Sequence, residues 1–126
     1  MTKQPIHVLL VDDDQPNLFN FNHLLKSHFT ISTALSGELG LTILKENPDI
    51  QIVVSDVKMP KMDGYEFVNR VHEISPEIQI IFVTGYAMNT EIKQTMDKGV
   101  VARFIQKPVE LKKLIAAIQE LAEELN

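Results

Sequence analysis

The 126-residue chain contains no cysteine, which excludes a disulfide framework, a thiolate metal site and a cysteine nucleophile, and fits a reducing compartment such as the cytoplasm. Nor is positive charge in excess. Twelve Lys and Arg face 17 Asp and Glu, a net charge of -5, the wrong sign for a protein whose main business is gripping phosphate backbones. No apolar run approaches the roughly 20 residues of a membrane span, and Met1 through Pro5 lead into a strand-length segment rather than a signal peptide. Linkers, low-complexity tracts and blocks of like charge are also missing. What is present is a folding composition, 44% hydrophobic and 23% charged, in a chain of one domain's length, 1–126. Such a chain can hide roughly two thirds of its unfolded surface in a single core.

Short apolar runs alternate five times with longer amphipathic stretches, which is a βα repeat. The runs are Ile6 to Val11, Thr30 to Ala34, Ile50 to Ser55, Ile78 to Val83 and Val101 to Gln106. Three of them are rich in Ile and Val without polar alternation, as strands buried on both faces are. Helices are expected near Pro16 to His28, Glu38 to Asn47, Tyr65 to Ile74, Asn89 to Lys98 and Glu110 to Leu125. Asp14 before Pro16 can cap the first helix, and Pro48, Pro76 and Gly99 punctuate the returns to the sheet. In the last helix Leu111, Leu114, Ile115, Ile118, Leu121, Ala122 and Leu125 form one apolar stripe, expected to pack on the sheet. Right-handed crossovers between parallel strands then imply an α/β fold, a doubly wound five-stranded sheet with helices on both faces. In such sheets ligands bind beyond the carboxyl ends of the strands.

Those ends are chemically unusual. The first run leads into Asp12, Asp13 and Asp14, and the third into Asp56, followed by Val57, Lys58, Met59 and Pro60. Asp14 is accounted for as a cap. At ~5 Å and an effective dielectric near 20, each like-charge pair among Asp12, Asp13 and Asp56 costs about 3 kcal/mol, so a proton or a cation must be shared. Carboxylate oxygens without a nearby imidazole or thiolate are hard ligands, and a site with few protein ligands suits Mg2+ better than a calcium cage. Thr84 follows the fourth run and Lys107 the fifth. Singly they read as a turn residue and a solvated lysine. Together with the carboxylates they suit a phosphoryl group, with a carboxylate nucleophile and a hydroxyl and an ammonium to hold its oxygens. The histidines, His7, His23, His28 and His72, show no ligand pairing and read as scattered surface residues.

Four segments carry a resemblance over nearly the whole chain: Leu10-Val11-Asp12-Asp13, Ser55 through Gly64, Val83-Thr84-Gly85, and Phe104-Ile105-Gln106-Lys107-Pro108. In these the chain resembles the receiver domains of two-component response regulators, the chemotaxis-regulator type included. The resemblance implies a flavodoxin-like sheet of order 2-1-3-4-5. It makes Asp56 the phosphoacceptor and gives Mg2+, or Mn2+ in its place, to Asp12, Asp13, Asp56 and the Lys58 backbone carbonyl. Thr84 and Lys107 contact the phosphoryl group, and Lys107-Pro108 is a candidate cis bond. The donor would be a sensor histidine kinase or a histidine phosphotransfer protein, docking near Gln15, Asn17 and Leu18. The output partner or effector domain stays unspecified, with no direct nucleic-acid or membrane binding expected.

In this reading Thr84 and Phe104 form the switch, altering the surface of the fourth helix, fifth strand and fifth helix. The chain is no enzyme in the ordinary sense, although it would catalyse its own phosphorylation and slow dephosphorylation. Lys58 and Tyr86, bulky and without carboxylates, would shield the phosphate from water. The stretch from Gly99 to Phe104 is one residue longer than the common pattern, and Phe104 lacks the hydroxyl of the tyrosine many relatives carry. Two rival readings remain. Asp12-x-Asp14 superficially matches a haloacid-dehalogenase-like phosphatase, but Pro16 stands where that motif needs Thr or Val. A phosphorylation-independent interaction module has no physical need for so many carboxylates together.

Overall fold

The computed structural model describes residues 5–85 and 87–124. Its elements alternate strictly: β1 (His7–Val11), α1 (Gln15–Leu25), β2 (Thr30–Ala34), α2 (Gly37–Glu46), β3 (Ile52–Asp56), α3 (Gly64–Ile74), β4 (Gln79–Thr84), α4 (Thr90–Asp97), β5 (Arg103–Gln106) and α5 (Leu111–Glu124). All strand pairs are parallel, in the order β2-β1-β3-β4-β5. The expected doubly wound, flavodoxin-like architecture is therefore the observed one.

Alternation along the strands sorts side chains into two cores. Leu9, Val11, Val53, Ile80 and Phe82 pack with Leu44 of α2, Phe67, Val68 and Val71 of α3 and Ile92 of α4. Val8, Leu10, Ile52, Val54, Ile81 and Val83 pack on the other face with Leu18 and Leu25 of α1 and Leu114, Ile118 and Leu121 of α5. At about 1.5–3 kcal/mol per fully buried large aliphatic side chain, these two layers are what the sheet is built to cover. The last helix's stripe does face the sheet, except that Leu125 lies outside the described residues.

Several boundaries differ from expectation for local reasons. α1 stops at Leu25 rather than His28, because the N–H groups of His28 and Phe29 both turn back to the Leu25 carbonyl and let Phe29 plug the core. β3 starts at Ile52, since the Ile50 N–H closes a turn onto Asn47. β5 starts at Arg103, two residues late. Gly99 takes a left-handed φ of 77°, and the N–H groups of Val100 and Val101 both converge on the Thr95 carbonyl, which absorbs the extra residue.

His7 is no surface histidine. It is buried, with Nδ1 2.8 Å from Asp49 Oδ2 and Nε2 2.7 Å from Ser32 Oγ. The apolar run gave no hint of this, because Asp49 and Ser32 come from other segments.

Candidate phosphoryl site at the carboxyl edge of the sheet

Register brings the predicted residues together. Val11 pairs with Ser55, so Asp12 and Asp56 are the next residues on neighbouring strands. Thr84 pairs with Gln106, so Lys107 leaves the sheet one step beyond Thr84, and its N–H donates to the Thr84 carbonyl at 2.7 Å. The Lys107–Pro108 bond is cis. Asp14 caps α1, accepting from the Asn17 N–H at 3.2 Å, and Pro16 occupies the first turn as expected.

The carboxylates of Asp12, Asp13 and Asp56 each offer an oxygen within 4.8 Å of the others. Asp12 and Asp56 are nearly enclosed, with side chains 11% and 12% exposed, whereas Asp13 is open to solvent. Asp56 is held at both oxygens. The Lys58 N–H donates to Oδ1 at 3.3 Å, and the Lys107 ammonium donates to Oδ2 at 2.9 Å. Lys107 Nζ also lies 3.9 Å from Asp12 Oδ2. One ammonium is thus shared by Asp56 and Asp12, with Asp13 beside them. Burial pushes the Asp12 carboxyl above its usual range; the Asp14 N–H and Lys107 pull it back, and Asp56 and Asp13 push it further up. For Lys107, burial works against the charge, but the hydrogen bond to Asp56 and the negative charges of Asp56, Asp12 and Asp14 outweigh it and raise the pKa. Hard oxygens that crowd one another fit a small divalent cation, and the cluster is compatible with Mg2+.

Above these groups opens a cleft of about 580 Å3, lined by Asp13, Asp56, Lys58, Thr84 and Lys107, with Met59, Pro60 and Gly85 at its sides. Thr84 itself is fully buried. Lys58 is exposed, and Phe104 is half-buried against the α2, α3 and α4 face, opposite Phe82. Tyr86 falls outside the described residues. Leu18 is buried, so of the three suggested docking residues only Gln15 and Asn17 retain accessible surface.

The loop after Asp56 shows what Gly64 is for. Its N–H donates to the Val57 carbonyl at 2.7 Å, and a Cβ at this position would stand 2.4 Å from the Asp56 carbonyl oxygen and 2.6 Å from Val57 Cα. The requirement is close approach and not a left-handed backbone, since Gly64 has no positive φ. The left-handed residue of this loop is Lys61, with φ 65°. Asp63 caps α3 by accepting from the Glu66 N–H at 2.9 Å and takes no part in the cluster. Sequence reasoning missed Tyr65, whose ring meets Phe82 edge-on with centroids 5.5 Å apart. A lone aromatic at a helix start carries no signal of its own.

Similarity agrees with this geometry. The family model for the response regulator receiver domain matches residues 8–119. The sensor kinase CckA of Brucella abortus is 34% identical over 119 residues, 93% of this chain but 12% of that protein. The transcriptional regulatory protein GlrR of Escherichia coli is 31% identical over 126 residues, 98% of this chain and 28% of its own length. The chain therefore spans only about an eighth to a quarter of these relatives. A CheY-like receiver domain protein from Methanospirillum hungatei superposes with a TM-score of 0.88 at 28% identity, covering 97% of both chains. None of the described helices is long and apolar enough to cross a membrane. With the acidic triad, the lysine and the strand order all in place, the chain belongs to the response regulator receiver domain family of two-component systems.

Proposed function

We infer that the chain accepts a phosphoryl group on Asp56 from the phosphohistidine of a cytoplasmic sensor histidine kinase or histidine phosphotransfer protein. The observation that carries this is the Asp56 carboxylate, fixed by Lys107 and the Lys58 N–H and facing an open cleft. An Asp56 oxygen attacks the phosphorus, the P–N bond breaks, and the imidazole leaves with the bonding pair. Lys107 passes from the carboxylate to the phosphoryl oxygens, and the Thr84 hydroxyl approaches them. Mg2+, or Mn2+ in its place, would be held by Asp12, Asp13, Asp56 and the Lys58 carbonyl, and supplies neutralisation of the oxygens' charge.

Phosphorylation adds negative charge and acceptor oxygens, drawing in Thr84 and letting Phe104 turn inward, so that the α4, β5 and α5 surface changes for an output partner. Phe104 has no hydroxyl, so its contribution is packing. Hydrolysis returns the carboxylate. It is slow, because the exposed Lys58 stands beside the cleft and offers no carboxylate to orient water; Tyr86 is assigned the same shielding role.

Incubation with Mg2+ and acetyl phosphate followed by intact mass tests the site on wild type and Asp56→Asn. A stoichiometric adduct on wild type alone supports it. An adduct on both proteins refutes Asp56 as acceptor, and none on either favours a phosphorylation-independent interaction module.

A further inference from the structure

A second set of reactive groups lies toward the amino end of the sheet, away from the acidic cleft. His7 opens β1, Ser32 is the middle residue of β2, and Asp49 stands in the turn before β3. His7 pairs with Thr30 and Leu9 with Ser32, so alternation puts the His7 and Ser32 side chains on one face, a single pair apart. Backbone bonds pin the three segments together: the Thr30 N–H donates to the Ile6 carbonyl at 2.9 Å, and the Gln51 N–H to the His7 carbonyl at 3.0 Å. The imidazole bridges the other two side chains, with Nδ1 2.8 Å from Asp49 Oδ2 and Nε2 2.7 Å from Ser32 Oγ.

These contacts fix which group donates. A carboxylate only accepts, so Nδ1 carries the proton, and the second nitrogen of the neutral ring accepts from the Ser32 hydroxyl. A carboxylate, an imidazole and a serine bonded in this order are the arrangement by which a base prepares a hydroxyl for attack on an acyl carbon, on several unrelated folds. His7 is buried, whereas Ser32 is only half-buried and Asp49 is 70% exposed, so the base is shielded while the serine still meets solvent. β2 is an edge strand. Because the Thr30 N–H turns toward β1, those of Ile31 and Thr33, on either side of Ser32, turn toward the open edge, where a carbonyl oxygen can accept from them.

We propose that Ser32 is an acylation site, a nucleophilic serine that takes the acyl group of a small activated ester, with His7 as its base and Asp49 as a positioning residue. Ser32 Oγ attacks the carbonyl carbon and its proton passes to His7 Nε2. The ester C–O bond then breaks, the alcohol leaves with the bonding pair and takes that proton, and an O-acyl serine remains. The reaction owes nothing to Asp56.

The test incubates the whole chain with p-nitrophenyl acetate and follows acetyl groups by peptide mapping. Ser27, an exposed serine, is the internal reference. Wild type and Asp56→Asn should both acetylate Ser32 about 100-fold faster than Ser27. Asp49→Asn, checked for an unchanged fold by circular dichroism, should slow Ser32 by about tenfold or more and leave Ser27 alone. Asp49→Glu keeps the acceptor and should recover at least half of that loss. No acetyl on Ser32, or equal rates at Ser32 and Ser27 in wild type, would make His7 only a satisfied buried histidine and overturn the site. An undiminished rate in Asp49→Asn, or no recovery in Asp49→Glu, overturns the role of Asp49. Loss of Ser32 acetylation in Asp56→Asn overturns its independence from the phosphoryl site.

Discussion

Asp12 and Asp49 are the same residue type at opposite ends of β1, and the protein moves their acidities in opposite directions. At the amino end the side-chain hydrogen bond from His7 draws the Asp49 carboxyl below its usual value, and Asp49 remains 70% exposed to water. His7 has a partner on each ring nitrogen, so this buried polar group is fully satisfied. At the carboxyl end Asp12 is enclosed, its pKa rises, it shares one lysine with Asp56, and Asp13 crowds the pair. The first arrangement is balanced within the chain and needs nothing else. The second carries more negative charge than Lys107 alone offsets, and its oxygens are compatible with a divalent cation.

This contrast can be broken from either end. Gly64→Ala should have the largest effect, since the added methyl collides with main-chain atoms that cannot swing aside. We expect a loss of about 3 kcal/mol in urea unfolding together with slower phosphate uptake, because the collision is with the backbone that carries Asp56. His7→Ala should cost about 2 kcal/mol, through the lost hydrogen bonds and packing, while phosphate uptake from acetyl phosphate stays at the wild-type rate. A loss of uptake in that variant would erase the distinction between the two ends.

The Asp49 contact also has a pH signature. A carboxyl whose folded pKa lies below its ordinary value of 3.8 adds stability that is complete above that value and disappears as pH falls through the depressed one. Wild type should therefore lose more thermal stability than Asp49→Asn on acidification below about pH 4. Equal losses would mean the pair contributes nothing. The smallest effect belongs to Lys61→Gly. Relief of the left-handed φ of 65° should outweigh the extra freedom of the unfolded glycine and raise stability by about 0.5 kcal/mol, again by urea unfolding.

What was legible in the sequence follows the same division. Continuous Ile and Val runs specify buried parallel strands, and parallel register then places Asp12, Asp56, Thr84 and Lys107 on one rim, so both fold and site could be read from position along the chain. Strand starts were less legible, because Ile50 and Val101 are as apolar as true strand residues and are diverted when their N–H groups donate to the carbonyls of Asn47 and Thr95. His7 and Tyr65 were missed for one reason. Their partners lie far off in the chain, at Asp49 and Ser32 in one case and at Phe82 in the other, and nothing local announces them. The reason for Gly64 could not be read in advance, since a close backbone approach and a left-handed turn leave the same letter in the sequence.

The most direct measurement of the central claim, that the acidic rim is held together for a divalent cation, is thermal unfolding with and without Mg2+ at constant ionic strength. A tenfold excess over Kd should add about 1.4 kcal/mol to wild type, and Asp13→Asn should lose most of that gain at the same Mg2+ concentration. Wild type unfolding at one temperature in both buffers, or an Asp13→Asn gain equal to that of wild type, would contradict it.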